Sequence, residues 1–255
     1  MKILDCENDN TMFGSIKVIT GIQKKDLIDM FNRFDLDDYY EDNTWIDADA
    51  LFLKKIKEMS NFSQFQYDKT FWFHLSRTTP FNNFKEGLLS LNDNLENLWD
   101  LLFTLQEGFL PKDEWNIFRK SLESDCPSHF ASLYRMKASD KIHGGPFAML
   151  IREVAFHSEE IGNHNYLGVP EIIEDICFPF QEKYGFDLLT KFKKVTLPCI
   201  VKFETTDVEE YHLGVVINFL YHKYHSLELN LDCNTCFDGY GKSIPNKALL
   251  QIEYL

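Results

Sequence analysis

Glycine and proline are scarce in this chain, at 12 and 8 of 255 residues, which excludes a collagen-like, linker-rich or low-complexity organisation. Basic residues are also few: 26 Lys and Arg stand against 40 Asp and Glu, a formal net charge of −14. Phosphate neutralisation needs clustered cations, so no general nucleic-acid-binding surface is expected, although a local basic pocket is compatible with this charge. No apolar run approaches the ~20 residues of a membrane span. The opening Met1-Lys2-Ile3-Leu4-Asp5-Cys6 lacks the apolar core of a signal peptide. No membrane association is expected, and the six cysteines read as reduced thiols in a cytoplasm. No repeat period is visible. Neither Gly-x-Gly-x-x-Gly, a phosphate-binding P-loop, nor Gly-x-Ser-x-Gly occurs, so nothing marks a Rossmann fingerprint, a P-loop enzyme or a serine hydrolase elbow.

Aromatic residues, by contrast, are plentiful, with 23 phenylalanines. Hydrophobic residues make up 44% and charged residues 26%, close to globular averages, so an ordered, aromatic core is expected. The length fits one α+β domain over 1–255, with 1–68 as a candidate, mainly helical N-terminal subdomain. Ser15–Thr20 reads as a short strand. Helical spacing marks Gln23–Phe34, Trp45–Met59, Asn82–Leu89, Asn94–Leu105, a helix opening at Pro111, Pro170–Cys177 ended by Pro179, and Glu209–Tyr224. Apolar runs mark strands at Phe71–Arg77, Pro146–Phe156, Leu197–Glu204 and Ala248–Leu255, with His143-Gly144-Gly145-Pro146 as a turn. Helices concentrate in the first half and strands in the second. The expected fold is therefore α+β: a helical N-terminal half packed on a mixed or antiparallel sheet.

The stretch Phe71-Trp72-Phe73-His74-Leu75-Ser76-Arg77-Thr78-Thr79-Pro80 organises the rest. An aromatic strand delivers a histidine and an arginine to its polar end, where Pro80 stops it. On a strand His74 and Arg77 face opposite ways, so they converge only if the strand ends or bulges between them. The competing reading is a buried histidine bonded to backbone beside a surface arginine.

The His-bearing strand followed by Phe84-Lys85-Glu86-Gly87-Leu88 resembles the opening of the ADP-ribosyltransferase fold. That resemblance implies NAD as the substrate. It further implies His74 on the NAD ribose, a tyrosine stacked on nicotinamide, and a glutamate that stabilises the transition state or polarises the acceptor. Tyr166, in His164-Asn165-Tyr166-Leu167-Gly168, is the best tyrosine. The glutamate lies among Glu171, Glu204 and Glu253, with Glu171 taken as the candidate. An arginine near the pyrophosphate would hold the dinucleotide, which gives Arg77 a cofactor-binding role. A toxin or defence effector is the class this implies.

Other constellations carry less. Cys126-Pro-Ser-His129 and Cys233-Asn-Thr-Cys236 have zinc-ligand spacing, but free thiols are the default and no metal is assigned. His212, His222, His225 and Glu228 lie among aromatics on one helical segment and read as an amphipathic surface. The acidic block within 35–49 is not an EF-hand, because Tyr40 and Ile46 stand where glycine and glutamate are required. It supports a second function class: a non-catalytic binding or regulatory protein, antitoxin-like or defence-related, that engages a basic partner through this segment.

Overall fold

The structure is a computed structural model that describes residues 1–42, 47–142 and 144–255. In chain order the described elements are β1 (Ile3–Leu4), α1 (Asp9–Thr20), α2 (Lys24–Arg33), α3 (Leu36–Asp42), α4 (Ala48–Ser60) and β2 (Lys69–Thr78). Then come α5 (Leu91–Leu105), α6 (Lys112–Ser124), α7 (His129–Ser139), β3 (Phe147–Met149), α8 (Glu171–Tyr184) and α9 (Leu188–Val195). The chain closes with β4 (Leu197–Thr205), α10 (Tyr211–His225), β5 (Cys236–Asp238) and β6 (Leu249–Tyr254). The strands form one mixed sheet in the order β5-β3-β2-β4-β6, so the fold is α+β. β1 runs parallel to β2 through Ile3↔Lys69, and β3 runs antiparallel to it through Phe73↔Met149. Among the described residues no helix is long and apolar enough to cross a membrane.

The chain divides into two compact units, each assembled from three segments. The first comprises 1–73, 148–164 and 202–237; the second comprises 74–147, 165–201 and 238–255. The N-terminal stretch 1–68 thus belongs to a unit that also needs two later segments.

In the first unit α10 is the central element. Every residue from His212 to His222 is buried, His212, Asn218 and His222 included, so this helix is enclosed on every face. Gly214 lets it lie against α4: a methyl group there would run into the Asp49 carbonyl oxygen. An aromatic cluster of Phe31, Phe34, Phe52 and Tyr221 fills the space beside it, with ring centroids 5.1–6.4 Å apart. Lys202 is buried between Asp5 at 2.9 Å and Glu7 at 2.7 Å, so the buried ammonium is paired. His212 meets the Tyr67 hydroxyl at 2.9 Å. That hydroxyl gives its single proton to the Glu209 carbonyl, so His212 Nδ1–H is the donor to the Tyr67 oxygen.

The second unit is built on helices. Trp99, Trp115, Phe118 and Phe180 pack edge-on or tilted, with centroids 5.1–6.0 Å apart, in a core drawn from α5 to α9. The indole N–H of Trp99 is satisfied by the Tyr134 hydroxyl at 3.0 Å.

Several elements differ from the sequence reading. Ser15–Thr20 is the end of α1, not a strand. Asn8 and Thr11 form a capping box, and Met12, Ser15, Ile16 and Ile19 are buried at helical spacing, which outweighs the β-branched composition. The strand expected over Pro146–Phe156 is confined to β3. Leu150, Ile151 and Arg152 send their N–H groups to Thr235, Asn234 and Cys6 instead, and a 3₁₀ turn follows. α8 continues through Pro179 to Tyr184, because the flanking Ile176, Cys177 and Phe180 are buried and hold the turn that lacks one N–H. Helices α3, α7 and α9 have no counterpart in the expected elements. The start of the expected Trp45–Met59 helix and His143 of the expected turn lie outside the described residues.

Two outcomes follow for the first unit. Gly214→Ala should destabilise it by about 1–3 kcal/mol through overpacking, whereas exposed Gly14 in α1 has open space around it and Gly14→Ala should stabilise by about 0.5–1 kcal/mol; paired denaturant melts read the opposite signs. Burial pushes the His212 pKa down to about 4, so folding favours its neutral form. That contribution is complete above the unfolded value near 6.5 and is lost as pH falls towards 4, for a total of up to about 3 kcal/mol. The stability cost of His212→Gln should accordingly be smaller at pH 4.5 than at pH 7, measured by denaturant midpoints.

Candidate functional site

The polar end of β2 enters the second unit at His74. The His74 Nδ1–H donates to the Phe147 carbonyl at 2.7 Å, which fixes the tautomer and leaves the Nε2 lone pair as an acceptor. Burial lowers the pKa of this imidazole, and the bond to Phe147 opposes the shift. The neutral form is therefore favoured.

His74 lines a cavity of about 420 Å³ whose wall also includes Arg77, Tyr166 and Glu171. The four residues singled out from sequence thus border one space. Its body is apolar, with Leu75, Leu98, Phe147, Ile172, Ile173 and Phe192 among the lining. Tyr166 lies in the turn before α8 and Glu171 in the helix's first turn. The Tyr166 hydroxyl donates to Glu171 Oε2 at 3.2 Å. Neither Glu204 nor Glu253 lines this cavity; Glu204 pairs with Lys69 at 2.6 Å.

A cation backs the glutamate. Lys137 of α7 stands 2.7 Å from Asp175 Oδ2 and 3.7 Å from Glu171 Oε2. Asp175 is almost fully buried; burial raises its pKa and Lys137 opposes that rise. Sequence reading missed this pair. The signal was present in Asp175, a carboxylate set within the apolar Ile172-Ile173-x-x-Ile176 face, since buried charges are paired.

Arg77, expected to bind the cofactor, directs most of its guanidinium to the protein itself. Its Nε donates to Thr196 Oγ1 at 3.2 Å, Nη1 to the Leu167 carbonyl at 2.9 Å, and Nη2 to the carbonyls of Lys193 and Thr196 at 3.2 and 2.8 Å. Four of its five N–H groups are taken, leaving one on Nη1. The guanidinium caps the carboxyl end of α9, whose last carbonyls lack helical partners, and ties it to the turn carrying Tyr166.

The segment expected as a helix over Asn82–Leu89 is a loop. Phe81 and Phe84 have φ of 66° and 47°. Asn82 Oδ1 accepts from Phe84 N–H and Asn83 Oδ1 from Lys85 N–H, so both asparagines form local turns that compete with a helix. Tyr254 and Asn246 pin the loop through the carbonyls of Asn82 and Phe84, at 2.6 and 2.8 Å.

The remaining candidates fall elsewhere. All six cysteines are free thiols, Cys126, Cys233 and Cys236 among them. Among the described residues, His129 included, no three His, Cys, Asp or Glu side chains are grouped to hold a metal. His222 donates to the Glu228 main-chain carbonyl and His225 to that of Phe31, so these histidines serve the backbone and not one ligand. Within 35–49, Asp35 accepts from the N–H groups of Asp37 and Asp38 at the start of α3, and residues 43–46 lie outside the described residues.

Arg77→Ala would leave the carbonyls of Leu167, Lys193 and Thr196 without this donor, and a loss of about 2–4 kcal/mol in stability is expected from unsatisfied, partly buried acceptors. Arg77→Lys should recover little, because an ammonium cannot reach three carbonyls in a fork; thermal melts of both variants check this. No protein-family model, curated protein or solved structure matches this chain.

Proposed function

We propose that the second unit carries a site that cleaves the nicotinamide–ribose bond of NAD, as an ADP-ribosyltransferase or NAD glycohydrolase does, in a toxin or defence effector. One observation carries the reading. His74, and the neighbouring Tyr166 and Glu171 some ninety residues later in the chain, line one cavity of about 420 Å³ with an apolar body. A space of this size and character accommodates an aromatic ring and a sugar.

The roles follow from the donors and acceptors. His74 Nε2 is a bare acceptor on a neutral ring, suited to a ribose hydroxyl. When the glycosidic C–N bond breaks, its electron pair leaves with nicotinamide as the ring becomes neutral, and positive charge develops on the ribose. The Glu171 carboxylate, oriented by Tyr166 and Lys137, stabilises that charge electrostatically. Water or a hydroxyl, amine or amide acceptor then adds to the anomeric carbon and loses a proton. The apolar walls suit a flat aromatic leaving group.

Purified protein incubated with NAD should release nicotinamide, and Glu171→Gln should lower the rate about a hundredfold or more while melting near the wild-type temperature. His74→Ala should weaken NAD binding. Absence of nicotinamide release, together with no heat of NAD binding to the wild type, overturns the reading.

A further inference from the structure

Arg77 keeps its charge at this wall but has only one N–H left for a ligand, so the phosphates of a dinucleotide in this site need further donors. A second cavity of about 400 Å³ shares seven wall residues with the first, His74, Arg77 and Asn94 among them. Its chemistry is different. Asn83, Asn94 and Asn97 line it, together with Lys85 on the pinned loop.

Spare donors converge there. Asn97 Nδ2 gives one proton to Asn94 Oδ1 at 3.2 Å and keeps the other. The amide nitrogens of Asn83 and Asn94 and the Lys85 ammonium have no acceptor among the described residues. Glu86 is the one carboxylate in the lining, so with Lys85 and Arg77 the wall carries one positive charge more than negative. In a chain of net charge −14 this is unusual. The first cavity balances, with Arg77 and Lys137 against Asp140 and Glu171. Two cavities in the first unit, of about 360 and 540 Å³, each carry one negative charge more than positive.

We propose that the asparagine-lined cavity binds the diphosphate of a nucleotide ligand, with Lys85 as its counter-charge and the amides of Asn83, Asn94 and Asn97 as neutral donors. The identity of the ligand rests on the NAD reading; the affinity for phosphate does not. Lys85 is exposed and supports no packing, so its replacement leaves the fold intact.

The test is calorimetric titration of inorganic pyrophosphate, ADP-ribose and nicotinamide into wild type, Lys85→Ala and Lys85→Arg. Wild type should bind pyrophosphate and ADP-ribose, Lys85→Ala should weaken both by about tenfold or more, and Lys85→Arg should restore them. Nicotinamide binding should not change. Wild type that fails to bind pyrophosphate, or a Lys85→Ala protein that binds pyrophosphate and ADP-ribose as tightly as wild type, overturns the proposal. The two readings separate cleanly. Pyrophosphate binding that depends on Lys85, in a protein that leaves NAD intact, supports the phosphate site and removes the NAD reading; NAD cleavage with phosphate affinity indifferent to Lys85 does the reverse.

Discussion

The guanidinium of Arg77 is the interaction on which the second unit's site depends. Helix α9 ends with carbonyls that no helical N–H can reach, and the turn before α8 carries another in Leu167. One planar, permanently charged group satisfies both. By doing so it fixes the turn that holds Tyr166 relative to the end of β2 that holds His74. The desolvation that lowers the Arg77 pKa is offset by these bonds, so the cation is tolerated at the cavity wall. Charge is used here for scaffolding.

The groups around Arg77 are arranged by polarity. The residues that α5, α8 and α9 give to the cavity are mostly aliphatic and aromatic, and its polar wall residues include Tyr166 paired with Glu171, and Lys137 paired with Asp175 behind the wall. Burying Asp175 would be costly without Lys137, and Lys137 in turn stands beside Glu171. A carboxylate at the cavity wall is thereby approached by a hydroxyl and an ammonium at one oxygen, Oε2. This preorganisation is what an electrostatic role requires.

Much of this was legible in the sequence, and the failures have physical causes. β2 was readable because its aromatic run is long and ends in Thr-Thr-Pro; the helices α5, α6 and α10 were readable because their apolar spacing is sustained. α7 hid because only Ala131 and Tyr134 of its residues are buried, too few to display a period. The 82–89 segment misled because its apolar positions fit a helix, while Asn82 and Asn83 direct their side chains to nearby N–H groups. His74, Tyr166 and Glu171, taken from a family resemblance, line one cavity. The role of Arg77 was not legible, since a residue's donors are assigned by what folds against them, and the carbonyls of Leu167, Lys193 and Thr196 carry no side-chain signature.

The hydrogen bond from His74 to Phe147 has a further consequence for how this site tolerates change. Its acceptor is a main-chain oxygen, and every amino acid supplies one. The tautomer of His74 is therefore insulated from the identity of the side chain at position 147. The protonation pattern of the ring is written into the backbone, whatever side chain stands at 147.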